Sequence, residues 1–210
     1  MKQKLLIVGA GSVGKFIAYN MDQFTNQFEI IGFLDDDASK QNTNVAGYQV
    51  LGSVDKLMEF SGKGIAIVWG IAFPNIKKKL FEQYQNFTFD YPSFIAKDSW
   101  ISQAVTIGKG VIIYPGASIN YECCIDDFVV INMNCSLGHN CSLGLFSSLA
   151  PGVNFAGHTK VGQCVEVGIG VTTIQNVIIN DNAIVGGQAM VVSEVSSEDI
   201  VAGIPARSIK

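Results

Sequence analysis

Every sixth residue from Ile95 to Val191 is large and apolar, and among those seventeen positions Thr173 is the single exception. A second series runs two residues ahead, from Ser93 through Ala117, Cys135 and Val153 to Ala189, and is small or β-branched throughout. A short strand places alternate side chains on one face, so the two series point inward together and the rest of each six turns the chain. The residue after each large one is often Gly, Ala, Asn or Asp, as a tight corner needs. An unbroken six-residue period is the mark of a coiling β solenoid of hexapeptide repeats. Three units closing a triangular coil make eighteen residues per rung, so residues eighteen apart should stack. A β sandwich is the competing reading, but its strand spacing would wander with its loops. This register does not slip.

The repeat leaves residues 1–92 to account for. They begin with Lys4-Leu-Leu-Ile-Val8, which reads as a buried parallel strand. Gly9-Ala-Gly-Ser-Val-Gly14 follows, and Lys15 to Asn20 reads as helix. Strand, glycine turn and helix form the context in which G-x-G-x-x-G presents backbone N–H groups and a helix N-terminus to a phosphate. The next strand, Phe28 to Leu34, ends in Asp35-Asp36-Asp37, where an acidic residue can hydrogen-bond a ribose or a base. The remaining pieces are Tyr48 to Leu51, a strand Gly64 to Trp69 and a helix Asn75 to Tyr84. A dinucleotide site calls for a larger sheet, so a nucleotide diphosphate is favoured over a nicotinamide cofactor. The glycine turn could also merely pack helix on strand. With Pro92 as boundary, the expected organisation is a Rossmann-like domain over residues 1–92 and a β-helix with a C-terminal tail over 93–210. Val201-Ala-Gly-Ile-Pro-Ala-Arg207 breaks the period, and so is expected to lie outside the coils.

Composition bounds the function classes. A formal net charge of −4 gives no reason to expect nucleic acid or an anionic membrane as partner. No apolar run is long enough to span a bilayer, and no signal-peptide h-region is evident. Five cysteines contain no C-x-x-C pair. Cys123, Cys135 and Cys141 fall on the small inward series, which suits a thiol as a small core residue and points to a reducing cytoplasm.

The chemistry gathers at one corner. The chain has two histidines, His139 and His158, and neither takes an inward position. Counting by eighteen, Gly157 stacks over His139, His158 over Asn140, and Glu122 under Asn140. A histidine here can take a proton from an attacking amine or hydroxyl, and a glycine N–H on the next rung can donate to a developing oxyanion. A solvated corner with two incidental histidines is the plainer alternative. Zinc is not expected, because a catalytic zinc usually takes three protein ligands and the chain has two histidines.

The hexads, His139-Asn-Cys-Ser-Leu-Gly144, Ala150-Pro-Gly152 and Val201-Ala-Gly-Ile-Pro-Ala-Arg207 resemble the left-handed β-helix acyltransferases. Val8-Gly-Ala-Gly-Ser-Val-Gly-Lys15, Gly32-Phe-Leu-Asp-Asp-Asp37 and Val45-Ala-Gly-Tyr-Gln-Val-Leu-Gly52 narrow the likeness to two-domain sugar acetyltransferases. These are the sialic-acid O-acetyltransferases and the bacillosamine-type nucleotide-sugar N-acetyltransferases. The resemblance covers essentially the whole chain. It implies a homotrimer with acetyl-CoA in the groove between neighbouring coils and a nucleotide sugar as acceptor. It makes His139 the general base, gives Asn140 the place of its orienting partner, and sets Gly157 N–H against the acetyl carbonyl. It further implies that Asn132 faces the sugar, that Ile169 and Gly187 line the coenzyme groove with Arg207 near its phosphates, and that Gly11, Ser12, Asp35 and Asp36 hold the nucleotide. Three positions depart from the family pattern: Asn140 stands for an acidic residue, Val13 for a histidine in the glycine turn, and Ser148 for a histidine before Pro-Gly.

The expected activity is direct acetyl transfer from acetyl-CoA to an amino or hydroxyl group of a nucleotide-linked sugar, with Cys135 and Cys141 unavailable as nucleophiles. Two alternatives stand beside it: a binding or scaffold protein on the same fold, and an acyltransferase for a free small acceptor.

Overall fold

A computed structural model describes residues 2–24 and 27–210. The chain divides into two compact units, 1–72 with 76–92 and 73–75 with 93–210.

The first unit is built on a five-stranded sheet. Its strands are β1 (Gln3–Val8), β2 (Phe28–Leu34), β3 (Asn44–Val45), β4 (Tyr48–Gly52) and β5 (Ala66–Trp69), in the order β3-β4-β2-β1-β5. All pairings are parallel except the β3–β4 hairpin. Leu5 to Val8 are completely buried, as a central parallel strand covered on both faces requires. Because β1 has β2 on one side and β5 on the other, the sheet changes direction at its end, where α/β sheets open a crevice. Helix α1 (Ser12–Tyr19) leaves that point, α2 (Met21–Phe24) follows it, and α3 (Pro74–Tyr84) follows β5. Helix α1 begins three residues earlier than the sequence reading had it, because Gly14 belongs to its first turn. A methyl group at Gly14 would lie 2.0 Å from the Gly9 carbonyl oxygen and at Gly70 2.7 Å from Gly14 Cα, so the bare backbones let helix and strand ends close together.

The second unit is the left-handed parallel β-helix. Its strands are two residues long and form three ladders. One runs from Trp100–Ile101 to Met190–Val191, one from Thr106–Ile107 to Ile178–Ile179, and one from Phe94–Ile95 to Ile200–Ala202. Partners are eighteen apart: Ser118 pairs Ser136, Cys124 pairs Ser142 and Val130 pairs Ser148. Both inward series form one continuous buried core, from Val111 and Ile113 to Ala189 and Val191. Each rung adds a layer of about six such side chains, and each large one contributes roughly 1.5–3 kcal/mol on burial.

Corners are turned by residues in the left-handed region. At the corner between the first two ladders these are Ala104, Glu122, Asn140, His158 and Asn176, with φ between 56° and 63°. The left-handed residue is thus the third after each large one, whereas the sequence pattern pointed to the first. The tail also differs from expectation. Ile200–Ala202 stays in the third ladder, pairing Ile184 with Ile200 and Val185 with Val201. The last rung is two residues short, so the count breaks while the hydrogen bonds continue. Arg207–Ser208 then pairs antiparallel with that strand.

Candidate active site on a coil corner

Residues 138–141 connect Ser136–Leu137 to Ser142–Leu143, and this corner carries His139 and Asn140. The His139 ring is packed from its own rung and from the two beside it. On the preceding rung, Tyr121 stacks on the imidazole with centroids 5.4 Å apart and planes 10° from parallel. On the following rung, a methyl group built on Gly157 would lie 2.8 Å from both Cε1 and Nε2 of His139. Only a glycine leaves room for the ring there. His158 meets the same ring edge-on, at 5.0 Å and 90°. Within the corner, His139 Nδ1 is 2.9 Å from Asn140 Oδ1, and Asn140 Nδ2 donates to Glu122 Oε2 at 2.7 Å. The stacking counted from the sequence is therefore the stacking found. Tyr121 was missed, although it stands eighteen residues before His139.

The backbone above the ring is set by a buried hydroxyl pair. Thr173 Oγ1 accepts Ala156 N–H at 3.0 Å and lies 2.9 Å from Thr159 Oγ1, which donates to the Ala156 carbonyl at 2.7 Å. The Gly157 carbonyl accepts Asn176 N–H at 3.1 Å, while its own N–H makes no hydrogen bond among the described residues. That leaves a donor beside the imidazole. The thiols below are inward: Cys123, Cys135 and Cys141 are each about 1% exposed, and their Sγ atoms lie 3.1–3.4 Å from the carbonyl oxygens of Gly138, Ala150 and Ala156. Burial pushes the Cys135 thiol up to about 11, and the hydrogen bond with Cys123, aided by burial, raises Cys141. Cys135 and Cys141 are therefore poor nucleophiles, whereas the hydrogen bond with Cys141 lowers the Cys123 thiol to about 7 and burial keeps it from the surface.

Asn132, Ile169 and Gly187 lie at a different corner, between the third and first ladders. There Asn132 Oδ1 accepts Met133 N–H at 2.8 Å, and Ile169 is exposed with a Gly187 methyl position 3.1 Å from its Cγ2. Arg207 is exposed near the end of the coil, its Nη1 donating to the Ala206 carbonyl.

In the first unit, Gly11 precedes α1 without a side-chain cap and has open space where a Cβ would stand, and Ser12 is exposed. Asp35, at the end of β2, is buried. Its Oδ2 accepts Ala10 N–H at 2.7 Å and Lys40 Nζ at 3.1 Å, and its Oδ1 accepts Asp37 N–H at 2.9 Å. Asp36 is exposed and accepts Val54 N–H at 2.8 Å. Asp35 thereby ties the glycine turn to the neighbouring strand. No group of three or more His, Cys, Asp or Glu that could hold a metal forms among the described residues, and no described helix is long and apolar enough to cross a membrane.

Comparison with known proteins bears on both units. Residues 4–84 match the model of the PglD N-terminal domain. The acetyltransferase domain of PglB from Neisseria gonorrhoeae, in complex with acetyl coenzyme A, is 27% identical over 100% of both chains, with a TM-score of 0.91. The chain shares the two-unit, β-helix build of that acetyltransferase domain over its whole length. PerB from Caulobacter crescentus, solved with CoA and GDP-perosamine, is 25% identical over 99% of this chain and 97% of its own, with a TM-score of 0.88. Among curated proteins, the serine acetyltransferase of Staphylococcus xylosus is 30% identical over 120 residues, 52% of this chain and 53% of the relative. The chain thus spans about half the length of the curated relatives it matches.

Proposed function

We propose that this chain transfers an acetyl group from acetyl-CoA to an amino or hydroxyl group of a nucleotide-linked sugar. The observation that carries the reading is the Gly157–His139 stack, in which a half-buried imidazole Nε2 packs against a glycine whose backbone N–H has no hydrogen-bond partner among the described residues. The whole-length likeness to a domain solved with acetyl coenzyme A supports it, as does the likeness to PerB solved with GDP-perosamine. In the reaction, His139 Nε2 removes the proton from the acceptor as its nitrogen or oxygen attacks the thioester carbonyl carbon. The resulting oxyanion accepts the Gly157 N–H. Collapse breaks the carbon–sulfur bond, and the imidazolium returns its proton to the leaving thiolate. No acyl-enzyme is needed, in keeping with the inward thiols.

Asn132, Ile169 and Gly187 stand at a different corner from His139, so a site using both sets draws them from two copies of the chain. This supports a homotrimer with acetyl-CoA between neighbouring coils, Arg207 near its phosphates and Asn132 toward the sugar. The N-terminal unit is the nucleotide-holding part, with Gly11 and Ser12 at the diphosphate and Asp36 toward the nucleoside. Asp35 contributes chiefly by fixing the turn, since both its oxygens already accept backbone N–H groups. A cytoplasmic location fits these substrates and the free thiols.

The test is a titration of purified protein with acetyl-CoA and then with UDP-, GDP-, dTDP- and CMP-linked amino sugars, followed by CoA release from the pair that binds. Binding of both and loss of turnover in His139→Ala are expected. The serine acetyltransferase match favours a free small acceptor as second reading, and coenzyme binding without any nucleotide would select it. Binding of neither would leave a scaffold protein.

A further inference from the structure

We propose that Glu122, one rung away, selects the tautomer of His139 through the Asn140 amide, and so is the positioning residue that leaves Nε2 free to act as a base. Its catalytic consequence rests on the acetyl-transfer reading; its geometry does not. A carboxylate can only accept hydrogen bonds, whereas a primary amide carries donors at its nitrogen and an acceptor at its oxygen. Glu122 Oε2 lies 2.7 Å from the Asn140 amide nitrogen, and the other end of the amide lies 2.9 Å from His139 Nδ1. The acceptor-only neighbour therefore holds the NH2 group toward itself and turns the amide oxygen toward the ring. An oxygen beside Nδ1 calls for a proton on Nδ1. In the neutral ring the lone pair is then on Nε2, the nitrogen facing Gly157.

Asn140 cannot make this choice alone. A half-turn about its terminal bond exchanges oxygen and nitrogen in nearly the same space, which would place the ring proton on Nε2 and silence the base. A carboxylate directly on the ring would have no such ambiguity. Here the direction comes from the next rung, because Glu122 and Asn140 occupy the same left-handed corner position eighteen residues apart. The coil's rung spacing, about 4.8 Å, is what brings the two side chains into hydrogen-bond reach.

The proposal is tested by reversing the polarity of residue 122. An ammonium group only donates, so Glu122→Lys should draw the Asn140 oxygen to itself and present the NH2 group to Nδ1. Asn140→Asp accepts from Nδ1 whatever stands at position 122, so Glu122→Lys/Asn140→Asp should restore the original state. Because Glu122 is exposed, these changes open no cavity. Long-range proton–nitrogen spectra of imidazole-labelled full-length protein, recorded where both rings are neutral, read the tautomer directly. With two histidines in the chain, His158→Asn completes the assignment.

The expected result is an Nδ1-protonated His139 in the native protein, an Nε2-protonated one in Glu122→Lys, and reversion in the double variant. Turnover should fall about 10- to 100-fold in Glu122→Lys and recover in the double variant, with KM for acetyl-CoA changed by less than about twofold. An Nε2-protonated native ring, or a tautomer that ignores Glu122→Lys, would overturn the proposal. A tautomer that follows residue 122 in a protein with no transferase activity would uphold the positioning while refuting the enzyme reading.

Discussion

Thr173 Oγ1 accepts the Ala156 N–H at 3.0 Å, one residue before the glycine that lies against the His139 ring. At equivalent places along the coil the acceptor is a backbone carbonyl, as for Gly138 to Phe155, Ala150 to Val167 and Gly162 to Ile179. A side-chain hydroxyl has replaced a ladder bond directly beside the candidate site. Thr173→Val keeps the shape but removes the acceptor, and a partly buried N–H left without a partner costs up to about 1–3 kcal/mol. Urea unfolding should read that loss, with Thr173→Ser retaining most of the stability. An unchanged midpoint in Thr173→Val would mean that Ala156 finds another partner.

Gly157→Ala tests the contact above the ring. The added methyl would stand 2.8 Å from two atoms of His139, so the imidazole or the backbone must move. Turnover should drop by about 100-fold or more, the range over which a positioned base contributes. Calorimetric affinity for acetyl-CoA alone should change far less. A variant with near-native turnover would remove Gly157 from the site.

The cysteines separate sharply by accessibility. Cys124 is exposed, whereas Cys123, Cys135, Cys141 and Cys164 are buried. An aromatic disulfide reagent should modify one thiol in the native protein and all five after unfolding, with Cys124→Ser abolishing the native reaction. Rapid native labelling of Cys135 or Cys141 would contradict the inward placement.

Alkaline pH should weaken the coil. Cys135 keeps its proton up to about 11 in the folded chain, against 9.0 for an unperturbed thiol, because burial penalises the thiolate. Between those values the unfolded form has released the proton and the folded form has not, so stability falls as pH rises. The contribution is fully present below about 9 and amounts to about 2–3 kcal/mol. Melting temperatures across that window should decline, and less steeply in Cys135→Ala. A parallel decline in both proteins would place the effect elsewhere.

Asp35 carries a stability role separable from any ligand role. Asp35→Ala strands the buried Ala10 N–H and loses the Lys40 ion pair. Unfolding should show a loss of about 1–3 kcal/mol without nucleotide present. A native-like midpoint with lost nucleotide binding would instead make Asp35 a direct ligand contact.

The sequence by itself determined the coil and its stacking. A six-residue period can bury two series of side chains in only one way, so residue numbers alone placed Gly157 over His139 and Glu122 beside Asn140. It also located the glycine turn, because Gly9 and Gly14 are spaced for helix and strand ends to touch. The tertiary structure decided what counting cannot carry. The short last rung kept Val201 in the third ladder, since hydrogen bonds follow neighbouring strands and not sequence number. Thr173 is the exception in the apolar series, and only the fold places its hydroxyl where a backbone bond would stand. Asp35 read as a ligand residue, and only the fold brings Ala10 and Lys40 to its oxygens. The direction of the Asn140 amide, finally, depends on which neighbour can only accept, a fact that exists once the rungs are stacked.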